Sequence, residues 1–250
     1  MLTLQSDIHG NHLLRTLPAL EWQAIATDLQ LVHLCAGQLL CDSGNRILHV
    51  YFPTTAVITM LHTMENGSCV EVAAIGCEGM TGLPVLTGGN TMPTRVEVQH
   101  AGAAYRVSGS ALRGHFARSD ALQRIALLYL QVLLTQMAQT AACNRRHSVR
   151  QQLCRWLLIQ ADRRPSDEMN VTQQMIADIL GVRREGVTDA LGMLQDSRFV
   201  QTTRGRIKVL DRAAIEARSC ECYGIVKREL ARMLPWDRRT EAPSQETLRS

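Results

Sequence analysis

Residues 171–194, VTQQMIADILGVRREGVTDALGML, read as two short amphipathic helices meeting at Gly181. Thr172 is a good N-cap, and Ile176, Ile179 and Leu180 follow it at helical spacing. A second helix starts near Arg183 and buries Val187, Leu191 and Leu194. Two helices joined by a short glycine-containing turn form the helix-turn-helix pattern, whose second helix enters the DNA major groove with its N-terminal residues against the base edges. Those residues are Arg183, Arg184 and Glu185. Arginine can donate two bonds to guanine and glutamate can accept one from cytosine, each good bidentate contact being worth about 1–3 kcal/mol of discrimination. An ordinary helical hairpin with a solvated charged end would show the same pattern, so the decision rests on the flanking residues.

Downstream, Phe199–Thr202 and Arg206–Leu210 alternate as strands around Thr203-Arg204-Gly205, a hairpin signature. A basic hairpin directly after a helix-turn-helix is a winged-helix arrangement, and it sets Arg204, Arg206 and Lys208 where they can meet phosphate, adding affinity without sequence information. Thr172, Gln173, Thr188 and Asp189 complete the candidate DNA-contacting set. Charge follows the same division. The net charge is only +4, but residues 1–144 hold 7 Lys+Arg against 9 Asp+Glu, whereas residues 145–250 hold 20 against 14. The basic excess therefore lies with the candidate reading head.

Upstream, Leu13–Leu29 reads as a helical lead-in. Short strands follow at Leu29–Cys35, Ile47–Phe52, Thr55–His62, Cys69–Ile75, Arg95–His100 and Ala103–Val107, with Asn66-Gly67 a good hairpin turn. Such spacing indicates an antiparallel sandwich or roll. Residues Asp120–Asn144 contain no Gly or Pro and read as one long helix with two apolar stripes. One stripe holds Leu122, Ile125, Tyr129, Val132 and Gln136; the other holds Leu127, Leu130, Leu134, Met137 and Ala141. One stripe should cover the β domain and the other a partner helix, and the first is assigned to the dimer interface of a parallel coiled coil. After a charged break at Asn144–His147, Ser148–Ala161 is a further amphipathic helix and Arg212–Leu234 one or two more.

The expected fold class is therefore α+β: a sensor-type β-roll with its helical lead-in (1–118), a dimerisation helix (119–144), a winged helix-turn-helix with a helical extension (145–234), and a polar, disordered tail (235–250). No apolar run reaches the roughly 20 residues of a membrane span, and the N-terminus, MLTLQSDIHGNHLL, lacks the basic start and apolar core of a signal peptide, so a cytoplasmic chain with no membrane partner is expected. Eight cysteines in such a chain read as free thiols.

This order of parts, with V-T-x-x-x-I-A-x-x-L-G-V-x-R-E-x-V at 171–187, resembles the Crp–Fnr superfamily of bacterial transcription regulators over residues 15–210. The resemblance places Arg184 and Glu185 on the family's base-contacting Arg-Glu pair, and Asp189 where a third contact, usually Arg or Ser, would stand. It implies a homodimer on a palindromic double-stranded DNA operator, with RNA polymerase as a candidate further partner, and no enzymatic activity. It also implies a cyclic-nucleotide-binding-like β domain, with Gly76–Val98 at the phosphate-binding cassette. Matching the glycines puts Gly79, Gly82 and Leu83 there, with Leu83 where a ribose-binding Glu would be. Matching Pro93 puts Thr94 at the phosphate-binding Arg, and Arg95 falls one residue late, on the opposite strand face unless a bulge restores it. Glu78 and Glu97 further disfavour an anion. Cyclic AMP is not the expected ligand; the effector is unknown and no cofactor is expected. No cysteines lie at cluster-ligand spacing near the N-terminus, and Cys220-x-Cys222, without a Cys or His close by in sequence, reads as two free thiols. The other functional class is a cyclic-nucleotide-binding regulatory module without DNA binding.

Overall fold

The computed structural model describes residues 10–164 and 168–234; the expected tail at 235–250 lies outside the described residues, as do residues 1–9, on which the reading of the N-terminus largely rests. Two short helices open the described chain, α1 (His12–Arg15) and α2 (Ala19–Ala26). Pro18 interrupts the single lead-in helix expected over Leu13–Leu29, because it lacks an amide hydrogen and disfavours helical backbone before it.

Seven strands follow: β1 (Gln30–Leu34), β2 (Leu39–Cys41), β3 (His49–Pro53), β4 (Val57–Thr63), β5 (Cys69–Ile75), β6 (Arg95–His100) and β7 (Gly102–Ser108). They form two antiparallel sheets, ordered β2-β6-β4-β5 and β1-β7-β3. Side chains from both, including Phe52, Ile58, Ile75, Val98 and Tyr105, share one core. The β4–β5 hairpin turns at Asn66-Gly67, where Gly67 takes the left-handed backbone that a side chain would resist. Strand β2 was not foreseen; it has three residues and a register shift, too short for alternation to show.

After α3 (Gly109–Phe116), the long helix α4 (Asp120–Arg146) runs through the expected break at Asn144. His147 closes it, and Ser148 immediately caps α5 (Val149–Asp162) through a capping box with Gln151. The two helices thus meet at a corner two residues wide.

Helix α4 corrects the assignment of the dimer face. Leu122, Tyr129, Val132 and Gln136 are buried within the protomer, and Ile125 is half-buried against the β-roll core. Tyr129 bonds the Met80 backbone and Gln136 donates to Ala74 O at 3.0 Å, so this stripe covers the chain's own sheet. The open side carries Leu127 and Leu134 of the other stripe, 56% and 54% exposed, while Leu130 and Met137 of that stripe are half-buried against the β-roll core. Both stripes are apolar, and only the polar anchoring at Tyr129 and Gln136 distinguishes them. By length and hydropathy alone α4 could also cross a bilayer, which corrects the expectation that no run comes close. Its contacts with β5 and with the C-terminal helix Glu221–Met233 fit the core helix of a folded assembly.

The remaining elements are β8 (Glu168–Asn170), α6 (Gln173–Leu180), α7 (Arg184–Asp196), β9 (Val200–Thr203), β10 (Arg206–Val209), α8 (Arg212–Arg218) and α9 (Glu221–Met233). The small sheet is ordered β8-β10-β9, so the expected two-stranded wing gains a third strand from just before α6. A second core gathers Leu153, Trp156, Leu157, Ile176, Val187, Leu191, Val200 and Ile207, and Val57 and Ala74 of the four-stranded sheet belong to it. The C-terminal unit is therefore seated on the β-roll by apolar packing.

One polar junction lies within that seam. Arg163, at the end of α5, donates from Nε to Glu78 Oε1 at 2.6 Å and from Nη2 to Gln136 Oε1 at 2.9 Å. Glu78 Oε1 also accepts from Gly76 N at 3.2 Å, and both ion-pair side chains are 8% exposed. Removing one member of such a pair strands a desolvated charge. Arg163→Ala should lower unfolding free energy by about 3–5 kcal/mol in urea titration. The volume-matched double change Arg163→Met with Glu78→Leu should cost clearly less. A single variant within about 1 kcal/mol of the parent would show that the pair does not hold the seam.

Candidate nucleic-acid interface

Local chemistry builds the reading head. The Thr172 hydroxyl caps α6 by accepting from Met175 N at 3.2 Å. Gly181 then takes left-handed backbone (φ 66°), and the chain passes at once into α7. Arg183 stands at the N-cap of α7 with no side-chain cap bond, and Arg183, Arg184 and Glu185 are exposed. Thr188 and Asp189, one turn further, are also exposed, whereas Val187, Ala190, Leu191 and Leu194 are buried. Helical spacing therefore gives α7 one packed face and one polar face. The Thr188 hydroxyl donates to Gln173 Oε1 at 2.8 Å, joining the two helices across that polar face.

The wing stands beside it. Gly205 (φ 73°) makes the two-residue turn with Arg204 between β9 and β10. Along β10, Arg206 and Lys208 are exposed while Ile207 and Val209 are buried, as period two requires. Arg206 Nη1 lies 3.4 Å from Glu168 Oε1 on β8, so part of its charge is offset within the wing. Gln195, near the end of α7, fixes the hairpin by accepting from the Thr202 amide (3.2 Å) and hydroxyl; side-chain spacing gave no hint of it. Between α6, α7 and the wing lies an open cleft of about 500 Å³ lined by Thr172, Gln173, Arg184, Arg204 and Arg206 among others. Five of the ten sequence-derived contact residues thus meet at one cleft. Arg183, Glu185, Thr188 and Asp189 extend it along α7, and Lys208 along β10.

Residues 151–218 match the model of the Crp-like helix-turn-helix domain. Solved structures similar to the chain include a putative transcriptional regulator of the crp/fnr family from Eubacterium rectale, at 17% identity and TM-score 0.64, covering 82% of this chain and 96% of that one. FixK2 from Bradyrhizobium japonicum is similar at 15% identity and TM-score 0.64, with 77% and 98% covered. The c-di-GMP responsive global regulator CLP from Xanthomonas campestris is similar at 12% identity and TM-score 0.58, with 77% and 99% covered. No curated protein matches the sequence. The chain carries a Crp-like helix-turn-helix domain and shares its fold with solved crp/fnr-family structures.

Within the β-roll, the stretch at the cassette position is packed. Gly82 (φ 71°) opens a single 3-10 turn, Leu83–Val85, and Leu83 and Val85 are buried in the β-roll core. Thr94 is buried as well. Gly79 is needed for close approach, since a Cβ there would fall onto the Tyr129 hydroxyl of α4. Arg95 is half-buried and turned to carboxylates, with Nε 3.0 Å from Glu97 Oε2 and Nη1 4.0 Å from Asp42 Oδ2. The five candidate effector residues therefore do not converge on a common ligand position: three line the core, one admits α4, and one is paired outside.

Electrostatics are more marked beneath the head than on it. On the sheet face toward α5, Glu71 accepts from Thr59 Oγ1 (2.7 Å) and Gln99 Nε2 (3.1 Å). Burial pushes its carboxyl up, against those bonds. His100, at the end of β6, is pushed down from 6.5 to about 4 by burial and by the Arg164 charge. Its neutral form is the folded form, so the unfolded chain takes up a proton below pH 6.5 that the folded chain refuses until about pH 4. This stabilisation is present above pH 6.5 and is lost as pH falls across that window, by up to roughly 3 kcal/mol. Unfolding free energies from pH 7.5 to 4 should show the parent losing stability toward acid faster than His100→Gln, and parallel curves would contradict the buried neutral imidazole.

Proposed function

We propose that this regulator acts as a homodimer that sets two α7 helices in successive major grooves of a palindromic operator. The cleft between α7 and the wing carries this reading. It brings Arg184, at the groove-entering end of α7, beside Arg204 and Arg206 on an element with no register of its own for bases. Arg184 and Glu185 then read base edges; Arg204, Arg206 and Lys208 hold phosphates. Asp189 can accept from cytosine but repels phosphate and gives guanine N7 and O6 no donor, so its operator position differs from one read by Arg.

The partner face is the exposed stripe of α4. Leu127 and Leu134 are one heptad apart, and Leu130 and Met137 beside them are half-buried. Uncovered leucines at that spacing on a 27-residue helix suit a twofold coiled coil, which also spaces two heads about one helical turn of DNA apart. Signal transfer would be a shift between two dispositions of the heads. The packed cassette and the pairing of Arg95 with Glu97 support a sensor that does not use cyclic AMP. RNA polymerase would be met by a surface outside these residues, in the cytoplasm where duplex DNA and polymerase are.

Two measurements test this. Selection from random duplexes, followed by binding titrations at fixed salt, should show Arg184→Ala relaxing one base position by about 1–3 kcal/mol. Arg206→Ala should instead weaken all sequences alike and reduce the salt slope by about one unit. Equal losses at all sequences for both variants would refute the division of roles. Separately, Leu127→Glu with Leu134→Glu should sediment as a monomer, and an unchanged dimer would remove α4 as the interface.

A further inference from the structure

Three cysteines form a small buried cluster of their own, apart from both cores: Cys143, Cys220 and Cys222. Cys143 is in the last turn of α4, Cys220 is the N-cap of α9 and Cys222 lies in its first turn. His147, which ends α4, joins them with its side chain 15% exposed. Sequence spacing showed only Cys220-x-Cys222; packing α9 along α4 supplies the other two groups. Cys143 Sγ is 3.5 Å from Cys220 Sγ, Cys222 Sγ is 3.6 Å from His147 Nδ1, and the four donor atoms all lie within 4.8 Å of one another.

We propose that Cys143, His147, Cys220 and Cys222 form a closed tetrahedral site for a thiophilic divalent ion of the zinc class. Bonds of about 2.3 Å to sulfur and 2.0–2.1 Å to nitrogen place tetrahedral donors roughly 3.4–3.8 Å apart, close to the two separations above. Donors this close suit one ion; an iron–sulfur cluster, whose ligands sit on different irons, needs a wider array. Three thiolates and an imidazole select zinc over calcium or magnesium, which take oxygen.

The surroundings support the assignment independently. His147 Nε2 lies 3.3 Å from Glu221 Oε2, so with Nδ1 turned to the sulfurs the other nitrogen carries its proton toward a carboxylate. That arrangement fixes the tautomer and orientation of a ligating histidine and strengthens it as a donor. Gln152 Nε2 donates to His147 O at 2.9 Å, holding the corner that presents Cys143 and His147 together. Binding three thiolates would release three protons and leave a net charge of −1, which the N-terminus of α9 and the buried Arg155, bonded to Thr140 at 2.9 Å, are placed to offset. The ion would join the end of α4 to the start of α9 across the corner into α5, and so hold the head at a fixed angle to the long helix. Neither the site nor its test depends on DNA binding.

The test uses the full chain purified in a non-thiol reductant from zinc-replete cells. Elemental analysis should give about one zinc per chain, unchanged in Cys35→Ser and lost in Cys220→Ser and Cys222→Ser. Cobalt added to the stripped parent should give the intense ligand-field and thiolate charge-transfer bands of a tetrahedral site, a readout that does not depend on how well a variant folds. Glu221→Ala should weaken zinc about 10-fold or more while keeping the stoichiometry. The proposal is overturned if the parent retains no zinc and gives no tetrahedral cobalt spectrum. Equal zinc in Cys222→Ser and the parent, or a Cys143–Cys220 disulfide trapped by alkylation at lysis, would overturn it too.

Discussion

The bond between Glu78 and Arg163 is the constraint around which the chain is arranged. Glu78 leaves the β-roll just after β5, Arg163 ends α5, and Gln136 of α4 bonds the same guanidinium. Three elements from three regions of the sequence are thereby fixed by one planar group. Apolar contacts such as Val57 and Ala74 with the C-terminal core supply driving force but tolerate sliding. A guanidinium that must meet a carboxylate and an amide at hydrogen-bond distance has one register, and a misplaced one leaves charge in a dry seam. The pair need not add net stability to do this. Its contribution is to make one packing of the head on the β-roll much better than its neighbours.

The glycines around it follow from the same closeness. A Cβ on Gly76 would meet the Arg163 side chain at 2.6 Å, and one on Gly79 would meet Tyr129. Residues 76–82, which by resemblance would cradle a phosphate, here admit two side chains from helices. Burying Leu83 contributes about 1.5–3 kcal/mol to the core, and a ribose-binding carboxylate could not occupy that place without an unpaired charge inside it. The stretch has the outline of a ligand cassette and the composition of a packing surface.

What the sequence disclosed was local. Helices α6 and α7, the Gly181 turn and the Gly205 hairpin each depend on neighbours within a few residues, through caps, period and positive φ, and their signals survive in a linear reading. The long helix was equally plain, but its orientation was not: Leu122 and Leu127 are both leucines, and only the distant Met80, Ala74 and Arg163 decide which stripe faces inward. Strands β2 and β8, of three residues each, are made by their partners rather than by their own alternation. The Cys143–His147 and Cys220–Cys222 pairs lie over 70 residues apart and are joined only because α9 returns along α4. Sequence reading fails here where a residue's role is set by a partner far along the chain.

Any signal passing from the β-roll to α7 must work against these ties together. The head is held by the apolar seam, by the Glu78–Arg163–Gln136 bonds, and by α9, which is itself bound to α5 through Tyr223, Asp162 and Arg212 at 2.5–2.9 Å. Such contacts do not stretch gradually: a hydrogen bond or a close-packed seam displaced by an ångström is largely lost. A change of head angle is therefore a step between two packed arrangements, each complete, and not a graded bend. Each tenfold shift between them requires about 1.4 kcal/mol of differential binding. An effector acting through this seam must accordingly contact a group that differs between the two arrangements. Glu78 and Tyr129, which touch both the β-roll and the helices beneath the head, are the groups where such a difference would be felt first.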